Sequence, residues 1–298
     1  MKKLAGFKQK KLDEVMIAKN IVSENYQDLN ITAENLKKNY LLEEPFPNIV
    51  IDNFFNKDFL NSILNDFPNL GSLDSSSRYE NKNEIKYTNN QYNAFSKNTK
   101  IFFDFLNSQI FLQFIQKITS IKETLIADKE LNGGGLHEIK KGGVLKIHTD
   151  FNRHPTLNLD RRVNVLIYLN KNWKEEYDGH LELWDKEMKE CKKKILPIFN
   201  RMVIFSTNDF SNHGHPNAIK CPIYQSRKSI ALYYFSKGRP LEELNINYIK
   251  NKTYFKDRLG HHNDTDSKNE YFKNFIRNLS FYKLLKNLEK KYFRKKNR

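Results

Sequence analysis

The sequence predicts a mainly β chain with flanking helices, an α+β arrangement in which helices come first and a block of antiparallel strands follows. Three observations predict it. Up to about residue 118 the long apolar runs recur near helical spacing, as in IFFDFLNSQIFLQFIQKI. From Gly133 the period changes, and GGGLHEIK, VLKIHTDF, VNVLIYLN, HLELWD, RMVIFS and SIALYYFS are short segments rich in Val, Ile, Leu, Tyr and Phe, separated by Gly, Pro, Asn and Asp clusters. No long helical pattern interrupts them, which points to an antiparallel sandwich or barrel with the helices packed on one outer face.

In chain order, residues 6–42 carry Val15, Ile17, Ile21, Val22, Leu29, Leu36 and Leu41 at irregular helical spacing, and PFPNIVIDNFF reads as a short strand entering a turn. Asn56 can cap the next helix, DFLNSILNDF, which places Phe59, Ile63, Leu64 and Phe67 on one face. Residues 71–97 are polar and read as loop, after which IFFDFLNSQIFLQFIQKI reads as a single apolar helix starting near Asn98 or Thr99. After the strands, residues 270–293 have Phe272, Phe275, Ile276, Leu279, Tyr282, Leu285, Leu288 and Tyr292 near helical period with lysines between, a basic amphipathic helix. Three regions are expected: a helical extension over 1–44, a central domain over 45–240 with its strand core at 133–237, and a basic helical extension over 241–298.

Composition limits the function. The 298 residues are 39% hydrophobic and 13% aromatic, enough for a substantial core. No run of 18 apolar residues exists and MKKLAGFKQKK lacks an apolar leader core, so the expectation is a cytoplasmic protein without a membrane span. Cys191 and Cys221 are too few for a disulfide framework and are expected to be core thiols. The net charge of +16 is concentrated at the ends: residues 251–298 hold 14 Lys and Arg against 5 Asp and Glu, residues 1–21 hold 6 against 2, and the remainder carries only +3. A nearly balanced centre argues against a phosphate-binding groove there, leaving the basic ends as the place for any contact with nucleic acid, acidic lipid or an acidic partner.

KIHTDFNRHP supplies the chemistry. His148 and Asp150 are two apart in a strand, so their side chains leave the same face about 7 Å apart and can converge on one ion. Two imidazoles and a carboxylate leave open coordination positions, the donor set of non-haem Fe(II) oxygenases, but H-x-D needs a third ligand. NHGHP offers His213 or His215 after the strand RMVIFS, and spacing alone allows either. Downstream, SRKSIALYYF puts Arg227 and Ser229 on one strand face and Ile230, Leu232 and Tyr234 on the other; an arginine turned inward demands an anion. HHNDTD, at 261–266, is rich in metal-binding types but reads as a solvated polar loop.

This H-x-D, distal His and later Arg resembles the 2-oxoglutarate- and Fe(II)-dependent oxygenases. RRVNVLIYLNKNW, DGHLELWD, PIFNRMVIFSTNDFSNHGHP and RKSIALYYFS, in that order, resemble its prolyl 4-hydroxylase-like branch, and PFPNIVIDNFF resembles the strand upstream of that domain. The resemblance spans residues 45–240 and implies a double-stranded β-helix, or jelly-roll, core. It implies Fe(II) as cofactor with 2-oxoglutarate and O2 as cosubstrates, His148, Asp150 and His213 as the metal ligands and catalytic set, and Arg227 as the grip on the distal carboxylate of 2-oxoglutarate. His213 fits the family's His-Gly position better than His215. Ser229 is expected to add a hydrogen bond to that carboxylate, and Tyr168 matches a tyrosine that reaches it in relatives.

The implied activity is hydroxylation of an unactivated C–H bond, most directly in a prolyl or other amino-acid side chain of a protein or peptide. Halogenating relatives replace the carboxylate at the position of Asp150, so its presence favours hydroxylation. Similar domains modify free amino acids, sugars and lipids, so a small-molecule substrate stays open. So do a nucleic-acid-associated oxygenase docking through the basic C-terminus and a non-catalytic jelly-roll binding module. His154, Arg153, Arg161 and Arg162 flank the H-x-D segment and are candidates for substrate contact at the mouth. His137 is a candidate for lining the pocket, and His180 follows Asp178-Gly179 where relatives often have two glycines.

Overall fold

The computed structural model describes residues 14–245 and 252–258, and within them two antiparallel sheets lie under a layer of helices. The helices are α1 (14–21), α2 (Leu29–Leu42), α3 (Lys57–Asn65), α4 (Lys97–Leu106) and α5 (Gln109–Thr119). The strands are β1 (Asn48–Asp52), β2 (Ser77–Glu80), β3 (Ile85–Asn89), β4 (Ile126–Ala127), β5 (Gly135–Lys140), β6 (Leu145–Thr149), β7 (Asp160–Tyr168), β8 (Leu181–Trp184), β9 (Cys191–Ile195), β10 (Arg201–Ser206), β11 (Asn212–His215), β12 (Ser226–Ser236) and β13 (Tyr254–Phe255). The larger sheet runs β1-β10-β7-β12-β5-β3-β2, with β4 also on β12; the smaller runs β13-β6-β11-β8-β9. This is the jelly-roll core with helical support that the resemblance implies.

Strand alternation divides the large sheet into two faces. Val163, Val165 and Ile167 of β7, Met202 and Ile204 of β10, and Ile230, Leu232 and Tyr234 of β12 face the helices, where they pack with Phe102, Phe103, Phe105, Phe111 and Phe114. The buried Tyr234 hydroxyl donates to the Leu106 carbonyl at 2.7 Å, so this polar atom in the aromatic layer is satisfied. The opposite face presents Tyr168, Val203 and Phe205, which pack against Leu181, Leu183 and Ile195 of the smaller sheet. The outer face of the large sheet is taken up by helix packing, which leaves the inner layer for polar side chains between the sheets.

The helices follow local signals. Asn56 caps α3 as expected, its side chain accepting from the Asp58 and Phe59 amides at 2.9 Å each. The apolar run from Ile101 to Ile118 is two helices, not one: Asn107 and Ser108 leave helical geometry, and Ser108, with ψ 159°, caps α5 by accepting from the Phe111 amide. The break lets the two halves turn separate apolar faces toward the sheet. Residues 71–97 are not simply loop. They contain the hairpin β2–β3, and β3 pairs with β5 through Tyr87–Glu138, Thr88–His137 and Asn89–Leu136, extending the large sheet by two strands. The amphipathic pattern at 270–293 and HHNDTD lie outside the described residues. Among those described, no helix is long and apolar enough to cross a membrane.

Candidate metal and 2-oxoglutarate site

β6 and β11 are adjacent antiparallel strands whose register sets His148 directly opposite His213. Both imidazoles therefore leave the same face of the smaller sheet, with ring centroids 4.6 Å apart. Asp150 follows β6 by one residue, and its carboxylate lies between the two rings, Oδ1 3.6 Å from His148 Nε2 and Oδ2 3.4 Å from His213 Nε2. The three donor atoms are within 4.8 Å of one another.

The backbone decides what these rings offer. Nδ1 of His148 faces the Lys146 carbonyl at 2.8 Å and Nδ1 of His213 faces the Ser211 carbonyl at 2.9 Å. A carbonyl only accepts, so each Nδ1 carries the proton and each Nε2 turns a lone pair toward Asp150. Burial pushes His213 down to about 4, against the opposing pull of Asp150, so the ring is neutral near pH 7. Burial also acts to raise the pKa of Asp150, but Arg161, then His213 and His148, outweigh it and hold the carboxyl well below its usual range. In the neutral form of each ring, two Nε2 lone pairs and a carboxylate thus converge. That suits a divalent cation bound by N and O ligands and little else.

Asp150 is itself anchored. Its Oδ2 accepts from Arg161 Nη2 at 2.9 Å and from Asn164 Nδ2 at 2.7 Å, while Arg161 Nε donates to Asn164 Oδ1 at 2.9 Å. The Arg161 guanidinium, in a side chain only 1% exposed, lies over the rings of Tyr233 and Phe151 at 3.3 and 4.5 Å. Asn164 was legible only as a strand residue, and Arg161 only as a basic residue near the mouth.

Deeper between the sheets, Arg227 is 5% exposed. Its Nε donates to the Gly179 carbonyl at 2.8 Å and its Nη2 to the Tyr168 hydroxyl at 3.3 Å. Among the described residues no carboxylate pairs with it, and burial draws its pKa below the ordinary arginine value. Tyr168 is fully buried, and its hydroxyl is pushed up by burial despite the nearby cation. Ser229 is buried on the same face of β12, opposite Tyr168 of β7 in the register. A buried cation bonded to one carbonyl and one hydroxyl has room and demand for a carboxylate ligand.

Residues 134–235, which contain every one of these groups, match the family model of the 2OG-Fe(II) oxygenase superfamily. Over this segment the chain is similar to 2OG-Fe(II) oxygenase domains. The fold of the chain is similar to a prolyl hydroxylase from Trichoplax adhaerens, solved with a hypoxia-inducible-factor oxygen degradation domain peptide: 21% identity, TM-score 0.52, over 72% of this chain and 93% of that one. It is similar to a prolyl-4-hydroxylase from Pseudomonas putida, at 13% identity and TM-score 0.50 over 70% and 99% of the two chains. Prolyl 4-hydroxylases from Phytophthora capsici match over 90% of this chain and 88% of theirs, at 17% identity and TM-score 0.50. No curated protein matches the chain in sequence. Proteins of that superfamily use Fe(II), 2-oxoglutarate and O2, and the convergent His-Asp-His donors and the guanidinium without a carboxylate among the described residues fit those groups.

The remaining candidates are held by other partners. His154 is buried, not at a mouth: its Nδ1 accepts from the Leu157 amide at 3.0 Å and its Nε2 faces Asp128 at 3.5 Å, so the ring pins the turn after β6. Arg162, 4% exposed, is taken up by Glu123, Ser236, Gly238 and Glu243, and Arg161 is committed to Asp150. A bulge explains the split: Tyr234 of β12 pairs with Val163 and Phe235 with Arg161, so Arg162 is the extra residue and the alternation set by Val163 and Val165 reverses there, turning Arg161 inward and Arg162 outward. Arg153 is engaged by Asn158 and Asp160. His137 bonds the Gly133 carbonyl at 3.2 Å, and His180 pairs with Glu175 at 2.6 Å.

Proposed function

We propose that this oxygenase hydroxylates an unactivated C–H bond in a prolyl or other amino-acid side chain of a protein or peptide. His148, Asp150 and His213 would hold Fe(II), and Arg227, with the Tyr168 hydroxyl and Ser229 beside it, would hold the distal carboxylate of 2-oxoglutarate. The observation that carries this reading is the convergence of two Nε2 lone pairs on Asp150 beside a buried, carboxylate-free Arg227. The prolyl hydroxylase folds it is similar to, one of them solved with a peptide, support the substrate class.

The chain's own residues prepare the reaction. The Lys146 and Ser211 carbonyls fix the imidazole tautomers, and Arg161 and Asn164 fix the carboxylate. Arg227, held by the Gly179 carbonyl and the Tyr168 hydroxyl, would hold the distal carboxylate of the keto acid. When bound, iron and 2-oxoglutarate supply the oxidising power: one O2 is consumed, 2-oxoglutarate becomes succinate and CO2, and the second oxygen atom enters the substrate as hydroxyl. Phe151 and Tyr233, edge to face at 6.2 Å and bracketing Arg161, form an aromatic wall next to Asp150.

Anaerobic titration with Fe(II) and 2-oxoglutarate, then succinate release in air, tests the reading. Wild type should bind both and release succinate. Asp150→Ala should lose iron binding by about a hundredfold, and Arg227→Ala should weaken 2-oxoglutarate by a similar factor. A wild type that binds neither, behaving like both variants, would overturn it. Mass spectrometry of peptides from a host lysate, seeking oxygen-atom additions, tests the substrate class separately.

A further inference from the structure

His215 is the residue of NHGHP that the metal cluster leaves out. It is 2% exposed, and among the described residues neither ring nitrogen has a hydrogen-bond partner. A buried imidazole in that state loses its water without replacement, which a fold tolerates where a ligand supplies the missing bonds.

Its position indicates which ligand. The β6–β11 register shifts between His213 and His215, and His215 emerges on the wall of a cavity of about 370 Å³ that Gly179 also lines. Gly179 gives its carbonyl to Arg227, and a side chain there would crowd that residue, since a Cβ would meet Arg227 Cδ at 3.2 Å. Among the described residues, the guanidinium bonded to the Gly179 carbonyl has no carboxylate, and the imidazole on the wall of the cavity that Gly179 lines has no hydrogen-bond partner. The acids around this cavity are already answered: Glu175 by His180 at 2.6 Å, Asp178 by Lys220 at 2.8 Å and Glu182 by Trp184 at 2.9 Å.

We propose that His215 is a cosubstrate-binding residue, donating its ring N–H to the same distal carboxylate of 2-oxoglutarate that Arg227 grips. The inference rests on the oxygenase reading above. An imidazole suits the task because its ring N–H is a directed donor that a carboxylate oxygen can accept. It adds a directed hydrogen bond that reads the distal end of the keto acid and ignores the end that meets the metal.

Calorimetric titration of the full chain loaded with Mn(II), excluding oxygen, separates the two ends. The probes are 2-oxoglutarate and 2-oxobutyrate, which lacks the distal carboxylate. His215→Leu should bind 2-oxoglutarate about tenfold more weakly, the loss of one hydrogen bond to a charged group, and bind 2-oxobutyrate as wild type does. His215→Asn, which keeps an N–H donor, should recover much of the loss. Without ligand, His215→Leu should melt above wild type because it removes an unsatisfied buried group. The proposal fails if His215→Leu keeps wild-type affinity for 2-oxoglutarate, weakens both keto acids alike, or melts lower or fails to fold. A wild type that binds no 2-oxoglutarate overturns the oxygenase reading itself; a wild type that binds it beside an unchanged His215→Leu overturns this inference alone.

Discussion

At the scale of single residues, the site depends on how Asp150 is held. A carboxylate one residue past a strand end is free to rotate, and three bonds stop it: two onto Oδ2 from Arg161 and Asn164, and one between those two side chains. Groups that orient a metal ligand typically matter 10- to 100-fold in metal affinity. Arg161→Met should therefore weaken Mn(II) binding by about that factor, read by electron paramagnetic resonance titration, and Asn164→Leu should act in the same direction. Unchanged affinity in both would mean that the strand end alone fixes Asp150. The donors themselves were legible in the sequence because H-x-D on one strand face is a local pattern. Arg161 was visible as charge and not as role, since the face it takes is set by the bulge at Arg162, which regular alternation does not foresee. His154 misled for a similar reason: the turn after β6 folds back and buries it against Asp128.

Elements place those residues, and the decisive contact is between β6 and β11. His213 faces His148 only if the two strands approach closely, and Gly214 permits it: a Cβ there would lie 2.7 Å from the Lys146 carbonyl oxygen and 2.8 Å from that of Leu145. The Lys146 oxygen also fixes the His148 tautomer. Gly214→Ala should therefore cost about 1–3 kcal/mol in urea denaturation, as overpacking does, and weaken metal binding as well. Normal metal affinity in a destabilised variant would show that the strands separate without moving the imidazoles. Among the other elements, those with strong periodicity or a clear cap were legible, including α3 with Asn56 and the apolar strands β7, β10 and β12. The break between α4 and α5 was not, because Asn107-Ser108 sits inside an unbroken apolar pattern and only cap geometry reveals it. Nor was β2–β3, whose exposed and polar residues become strand by pairing with β5, a long-range interaction that no local composition encodes.

For the whole molecule, Arg161 and Arg162 show how one strand serves two layers. Arg161 turns inward to the site, while Arg162 turns outward and joins three distant parts of the chain: Glu123 beyond α5 at 2.8 Å, Ser236 at the end of β12 at 3.0 Å, and Glu243 past the last strand of the large sheet at 3.3 Å. It ties the helical layer to the sheet without contact with any candidate ligand. Breaking a buried ion pair can cost 3–5 kcal/mol, but Glu123 and Glu243 keep partial access to water, so Arg162→Met should cost about 2 kcal/mol and lower the melting temperature by roughly 4–8 °C. Succinate release per folded molecule should stay at the wild-type level, the reverse of Arg161→Met. The variant should also change acid sensitivity. The Arg162 hydrogen bond, foremost among the causes, lowers the pKa of Glu123 below the ordinary 4.5. That stability is present above the unfolded-state pKa and is lost as pH falls through the folded value. Glu243 runs the other way, raised by burial that outweighs Arg162 and Arg239, so its ionised form is the costly one and Arg162 limits that cost at neutral pH. Denaturation series at pH 7 and at about pH 4 should thus show Arg162→Met furthest below wild type at pH 7, with the gap narrowing in acid. A gap that does not change with pH would assign the loss to packing of the arginine stem rather than to its charge.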